Sequence, residues 1–335
     1  MLSRCTVDRP PNGASVSQIT RSRVERGRGR DVIFRRLPTL PAPAEARPFF
    51  TVDVEEYFHA NALESAAPRA QWDRLPLRLD RTMPILLERL ARHGTRGTFF
   101  VLGWVAEHSP QIVRDIAAAG HEVASHGYWH RRVTGMSRAE FRDDVRSSKR
   151  ILEDLIGKPV HGYRAPSFSI VPDTAWAFDV LLEEGFQYDS SVFPIRRPGY
   201  GFPGALRDPH EVHRAAGTLK EFPLATTTIA GIPVPAAGGG YLRQFPLFLI
   251  RRAFRQARAR GTAATFYIHP WELDPDQPRL PVGAITRVRH YRGLSRTLGR
   301  IEQLLTEFPF TAIRCDADAD AISGDGPVAT SDGNQ

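Results

Sequence analysis

Short apolar runs alternate with helical stretches along most of this chain, and that alternation restricts the fold more than any other feature. Phe49–Val54 reads as a buried strand, and Leu79–His93 as a helix with Ile85, Leu86 and Leu90 on one face and Gly94 at its end. Thr98–Leu102 is a second strand. Ser109-Pro110 supplies an N-cap and a first-turn proline, and Gly120 closes that helix before the strand His121–Ala124. Ser137 and Glu140 form a capping box at the head of a helix in which Phe141, Val145, Leu152 and Leu155 keep helical spacing. Gly162–Tyr163 is strand-like, the helix Asp173–Glu184 ends at Gly185, and Phe186–Tyr188 follows as a short strand. Ala264–Ile268 is a strand, Leu294–Leu305 the last long helix, and Phe310–Ile313 a final strand. Strands separated by helices predict parallel βα units. Asp53, His126, Arg164, Asp189 and His269 each come just after a strand. In a parallel barrel those strand ends share the face on which active sites form.

Charge is not spread evenly over this pattern. Residues 1–48 hold ten arginines against four acids, so +6 of the chain's +8 sits there. This stretch is rich in Pro, Gly, Ser and Arg without an apolar period, and is expected to be a disordered tail. A solvated extension is the preferred reading over a nucleic-acid patch, so no nucleic-acid partner is expected. Asp316–Gln335 is expected to fray, leaving 49–315 as one catalytic domain. Met1–Asn12 lacks the apolar core of a signal peptide, and no run approaches the roughly 18 apolar residues of a membrane span. Cys5 and Cys315 make neither a disulfide framework nor a zinc knuckle. The expectation is a cytoplasmic protein, with peripheral contact to the inner membrane through the Arg-rich tail kept open.

His126 and His130 stand four apart after an apolar run and can turn both imidazoles toward one cation. The carboxylate-rich strand end Thr51-Val52-Asp53-Val54-Glu55-Glu56, about 70 residues upstream, can add an oxygen ligand. Two histidines, one carboxylate and a position left for water are the usual plan of a hydrolytic metal centre. Zn²⁺ is the first candidate, and Co²⁺, Ni²⁺ or Fe²⁺ would also fit such a ligand set.

Taken in order, five motifs resemble those of the polysaccharide deacetylases, also called NodB-homology or carbohydrate esterase family 4 proteins, over roughly Phe49–Ile313. They are Thr51-Val52-Asp53-Val54-Glu55, His126-Gly-Tyr-Trp-His130, Arg164-Ala-Pro-Ser167, Tyr188-Asp189-Ser190-Ser191 and Tyr267-Ile268-His269. The resemblance implies a distorted (β/α)7 barrel and a metal-dependent hydrolase that removes N-acetyl groups from a polysaccharide or its lipid-linked precursor. It implies Asp53 as catalytic base, His269 as catalytic histidine, and the backbone N–H of Ser167 at the oxyanion. His269-Pro-Trp-Glu-Leu-Asp274 and Arg289-His-Tyr-Arg-Gly-Leu294, in an extension from about residue 270, are similar to the branch encoded beside exosortase and exopolysaccharide loci.

The first motif departs from the commonest pattern of two adjacent aspartates, because Val54 cannot bind metal. On an extended strand residues 53 and 55 share a face, which favours Glu55 as the ligand with Glu56 as the fallback. Arg164 is expected to pair with Asp53, and Asp189 to hydrogen-bond the His269 ring. Tyr128, Trp129, Trp271 and Tyr241 are candidates to stack on sugar rings. Two alternatives stay open: hydrolysis of a small linear or cyclic amide on the same fold, and an inactive carbohydrate-binding protein.

Overall fold

The computed structural model describes residues 32–37, 46–197 and 199–314. Its strands are β1 (Ile33–Arg36), β2 (Phe49–Val54), β3 (Thr98–Val101), β4 (Glu122–Ser125), β5 (Gly162–Tyr163), β6 (Tyr188–Asp189), β7 (His210–Arg214), β8 (Gly217–Glu221), β9 (Thr226–Ile229), β10 (Ile232–Pro235) and β11 (Thr265–Ile268). Seven of them lie side by side and parallel in the order β11-β2-β3-β4-β5-β6-β8. One parallel bridge, Leu224 to Thr265, brings the chain just past β8 against β11. The fold is therefore of the (β/α)7 type, with its two sheet edges meeting at a bridge and not through a full ladder. β7 and β1 extend the sheet beyond β8 in antiparallel fashion, and β9 with β10 forms a separate hairpin.

The helices are α1 (Leu79–Arg92), α2 (Gly103–His108), α3 (Pro110–Ala118), α4 (Arg138–Ile156), α5 (Ala177–Glu183), α6 (Gly240–Gln244), α7 (Phe248–Ala259), α8 (Ala284–Tyr291) and α9 (Thr297–Glu307). None among the described residues is long and apolar enough to cross a membrane. α1 buries Leu79, Met83, Leu86 and Leu90 at helical spacing. α4 opens on the Ser137–Glu140 capping box and stops at Gly157, whose φ of 67° is the left-handed turn that glycine tolerates best.

Side-chain alternation along the strands sorts two environments. Phe50, Val52 and Val54 of β2 and Phe99 and Val101 of β3 join the large apolar core, whereas Phe100, Ala124 and Tyr188 form a small separate cluster. Thr51 and Asp53 share the inner side with Arg164. A strand facing helices on one side and a partly polar ring interior on the other produces this period of two.

Several expectations are corrected. Ile33–Arg36 lies within the stretch expected to be disordered, yet it pairs with β7, and Phe34 packs edge-on against Phe202 and His210. Three consecutive apolar residues, Val32-Ile33-Phe34, were enough to dock it. Residues 1–31, 38–45 and 315–335 lie outside the described residues. The helix expected over 173–184 is a 3-10 turn, Pro172–Thr174, followed by α5. The strand expected over 310–313 contracts to a single bridge at Thr311. The elements β7–β10, α2, α6, α7 and α8 were not anticipated.

Candidate metal centre and active-site cavity

The ends of the parallel strands surround a cavity of about 430 Å³, on whose wall stand Asp53, Glu55, His126, His130, Ser167, Tyr241, His269 and Trp271. The turn after β4 explains how two histidines four apart come together. Gly127 adopts φ 74°, and a Cβ there would press on the Asp144 carboxylate. Asp144, from α4, accepts the N–H groups of Tyr128 and Trp129 at 2.8 and 3.2 Å. His130 then closes the turn in the left-handed region, φ 50°. Ser167 and Phe168 share that conformation, so three of the four described non-glycine residues with positive φ sit on this cavity. Strain of this kind gathers at functional sites.

Glu55, His126 and His130 are buried and offer ligand atoms that all lie within 4.8 Å of one another. The Nδ1–H of His126 donates to the Arg164 carbonyl at 2.8 Å, which leaves the Nε2 lone pair for the site. Burial pushes His126 down to about 4, so its ring is neutral near pH 7. His130 Nε2 comes within 2.7 Å of Glu55 Oε2. Burial would raise the Glu55 carboxyl, but the imidazoles of His130, His269 and His126 outweigh it and hold Glu55 well below the usual carboxylate range. Three buried ligand atoms converging within 4.8 Å suit a shared cation, and this donor set fits a divalent metal. Glu56 does not take part. Its Oε1 accepts from Arg78 N and Leu79 N at 2.7 and 3.0 Å, capping α1.

Asp53 is 2% exposed, and its Oδ1 accepts from Arg164 Nη1 at 2.7 Å. Arg164 also donates to Thr51 Oγ1 at 2.8 Å, Ser190 O at 3.1 Å and Ser190 Oγ at 2.8 Å, and lies over the Phe100 ring. Asp53 Oδ2 is 3.9 Å from His269 Nε2. Ser167 lines the cavity, and its hydroxyl accepts from Asn61 Nδ2.

The partner expected for His269 is corrected. Asp189 is taken up by Ser191, through N at 2.9 Å and Oγ at 2.6 Å, and by Glu221, which burial pushes well up so that it keeps a proton to share. β8 and the chain just past it stand between β6 and β11. The carboxylate beside His269 is instead Glu272, one 3-10 turn on: Oε2 lies 3.5 Å from Nδ1 and accepts from the His269 backbone N–H at 3.2 Å. Glu272 is fully buried and paired with Arg243 at 2.7 Å. Burial raises Glu272, but Arg243 and His269 outweigh it and bring it to about 2. Burial would lower His269; Glu55, Glu272 and Asp53 overcome this and raise it to about 9. The signal for Glu272 was local, a carboxylate three residues beyond a histidine with proline between, whereas nothing in the sequence tied Arg243 to it.

The aromatic candidates divide. Tyr241 lines the cavity, its hydroxyl 2.7 Å from that of Tyr200. Trp271 does too, but both its faces are covered, by His269 at 5.1 Å and His290 at 4.3 Å, and its Nε1–H donates to Glu55 Oε1 at 3.1 Å. It orients the carboxylate and has no free face for a sugar. Tyr128 and Trp129 lie away from the cavity, lining a neighbouring hollow with Trp104 and Arg131. The turn that points His126 and His130 inward sends the residues between them outward.

A parallel α/β ring with a buried His-His-carboxylate cluster at its strand ends is an arrangement that could hold a divalent metal. Residues 71–181 match the family described as polysaccharide deacetylase, and residues 190–316 match a domain of unknown function (DUF3473). Over residues 71–181 the chain is thus similar to the polysaccharide deacetylases, and a DUF3473 segment follows the matched part. It is 28% identical over 135 residues to a peptidoglycan-N-acetylglucosamine deacetylase of Bacillus cereus, covering 37% of this chain and 48% of that one. It is 33% identical over 112 residues to a peptidoglycan deacetylase of Helicobacter pylori, covering 33% and 36%. It is 31% identical over 98 residues to a chitooligosaccharide deacetylase of Bradyrhizobium, covering 29% and 42%. The chain thus spans under half the length of these curated relatives. A solved structure from Mycobacterium smegmatis, assigned as a polysaccharide deacetylase, shares the fold at TM-score 0.57 and 22% identity, over 84% of this chain and 93% of that one. The allantoinase PuuE shares it at TM-score 0.52 and 17% identity, over 84% and 92%.

Proposed function

We propose that this protein is a metal-dependent hydrolase that removes N-acetyl groups from an N-acetylated polysaccharide or its lipid-linked precursor, with 49–315 acting as one catalytic unit. The observation that carries this reading is the buried Glu55–His126–His130 triangle, opening on a cavity that also holds Asp53 and His269. The named deacetylases among its relatives support the reaction class. A divalent cation on the triangle would polarise the acetyl carbonyl and make a nearby water more acidic; zinc is our choice, from two imidazoles and one carboxylate.

The remaining roles fall to the chain's own side chains. Arg164 holds Asp53 Oδ1, which leaves Oδ2 to take a proton from the attacking water. His269 presents Nε2 to the cavity side and Nδ1 to Glu272, so a proton on Nε2 can pass to the departing amine nitrogen. Ser167 lines the cavity in a left-handed turn, and we assign its backbone N–H to the oxyanion. Exopolysaccharide as the polymer, and the cytoplasm as the compartment, remain part of this proposal.

The test is acetate release from N-acetylglucosamine oligomers by purified protein, before and after chelation and after returning Zn²⁺ or Co²⁺. Release that stops on chelation and returns with metal supports the reading. Turnover of small amides alone would move the protein to the other hydrolase class, and loss of neither activity on chelation would refute the metal role.

A further inference from the structure

Charge on the cavity wall is unevenly satisfied. Asp53 is paired with Arg164 and Arg243 with Glu272, each at 2.7 Å, and Glu55 sits among imidazoles. Two more guanidiniums line the same cavity, Arg132 from the loop after His130 and Arg289 from α8, and both are exposed. Among the described residues neither has an acidic partner. Arg289 also belongs to a run, residues 277–301, with six arginines and no acid. The Tyr200 and Tyr241 hydroxyls bond each other at 2.7 Å on the same wall, and such a pair has one O–H left to donate. Donors and positive charge therefore exceed what the protein itself neutralises, and a cation on the triangle would widen the excess. A neutral sugar offers these guanidiniums no counter-charge, whereas an oxyanion meets them with charge-assisted hydrogen bonds.

We propose that the substrate sugar carries an anionic oxygen group, a carboxylate or a phosphate ester, recognised by Arg132 and Arg289. This rests on the deacetylase reading and narrows its substrate class. The arginine run on and beside α8 steers such a ligand to the cavity and makes its capture sensitive to ionic strength.

The test uses three N-acetylated oligosaccharides of one backbone: one with uronic carboxylates, its carboxyl-reduced form, and a phosphate ester. Binding to chelated full-length protein is measured by calorimetry, and acetate release with the metal-loaded protein. One anionic form should bind about tenfold tighter than the reduced form at low salt, and the gap should narrow in high salt. The form that gains identifies carboxylate or phosphate. Arg132→Gln and Arg289→Gln should each pull the anionic-to-neutral ratio of kcat/KM toward one, and the Lys variants should recover part of it. Equal binding of charged and reduced forms, or Gln variants that leave the ratio intact, would overturn the inference. If no oligosaccharide releases acetate, the deacetylase reading fails, while the binding ratio still decides the question of charge.

Discussion

Replacing Arg164 by Met should unmask how much the interior of the ring depends on one guanidinium. Arg164 has no solvent exposure, and its four donated hydrogen bonds reach Asp53, Thr51 and Ser190 at 2.7–3.1 Å. Methionine fills much of the space over Phe100 but leaves the Asp53 carboxylate, 2% exposed, without its cation. Breaking one side of a buried pair costs about 3–5 kcal/mol, more than the lost hydrogen bonds alone suggest, because the surviving charge stays desolvated. Removing the charge as well, in Asp53→Asn/Arg164→Met, should return about 2–3 kcal/mol of that loss as coupling. The assay is urea unfolding of chelated protein for the two single variants and the double variant, extrapolated to water. Arg164→Lys should rescue only partly, since a single ammonium cannot reach both Asp53 and Ser190 in the geometry of the fork. Additive single effects, agreeing within about 0.5 kcal/mol, would show that Asp53 does not rely on Arg164 and would refute the argument.

Asp53→Asn should keep bound metal and abolish acetate release, while Glu55→Ala should lose metal by elemental analysis; the reverse pattern would exchange the two roles. With Glu272→Gln a negative charge leaves the neighbourhood of His269, so its proton becomes easier to lose. The alkaline limb of kcat/KM should then move to lower pH, and a limb that stays in place while kcat falls would mean that Glu272 only shapes the fold.

What could be read from the sequence was whatever one strand and its turn decide locally. Asp53, His126, Arg164 and Asp189 do stand at or just past the ends of neighbouring parallel strands, and His269 follows β11, because apolar runs bounded by helices fix where each strand stops. The preference for Glu55 over Glu56 likewise follows from a period of two, and the capping of α1 by Glu56 agrees with it. What failed needed the closed ring. Asp189 and His269 both stand at strand ends, but Ser191 and Glu221 take up the Asp189 carboxylate, and the His269 neighbour is supplied from within its own turn. Trp271 reads as a sugar platform until the packing shows an imidazole on each face. The segment from β7 to β10 mixes short strands with Gly and Pro and has no sustained period to read.

The two carboxylates of β2 show how identical chemistry is divided by neighbours. Asp53 and Glu55 project to the same side of one extended stretch, two residues apart, and are equally buried. Their surroundings differ in kind. Asp53 meets a guanidinium that is itself fixed by Thr51 and Ser190, so one oxygen is engaged and the other is left to act as an acceptor. Glu55 meets the imidazoles of His126, His130 and His269 and a single indole N–H at 3.1 Å, so one oxygen is oriented by Trp271 while Oε2 faces His130 Nε2 at 2.7 Å. A buried carboxylate is costly unless positive charge completes it. The proposed proton acceptor and metal ligand are thus set apart by the kind of group beside each, a guanidinium for Asp53 and imidazoles for Glu55, and the strand needs only to present both.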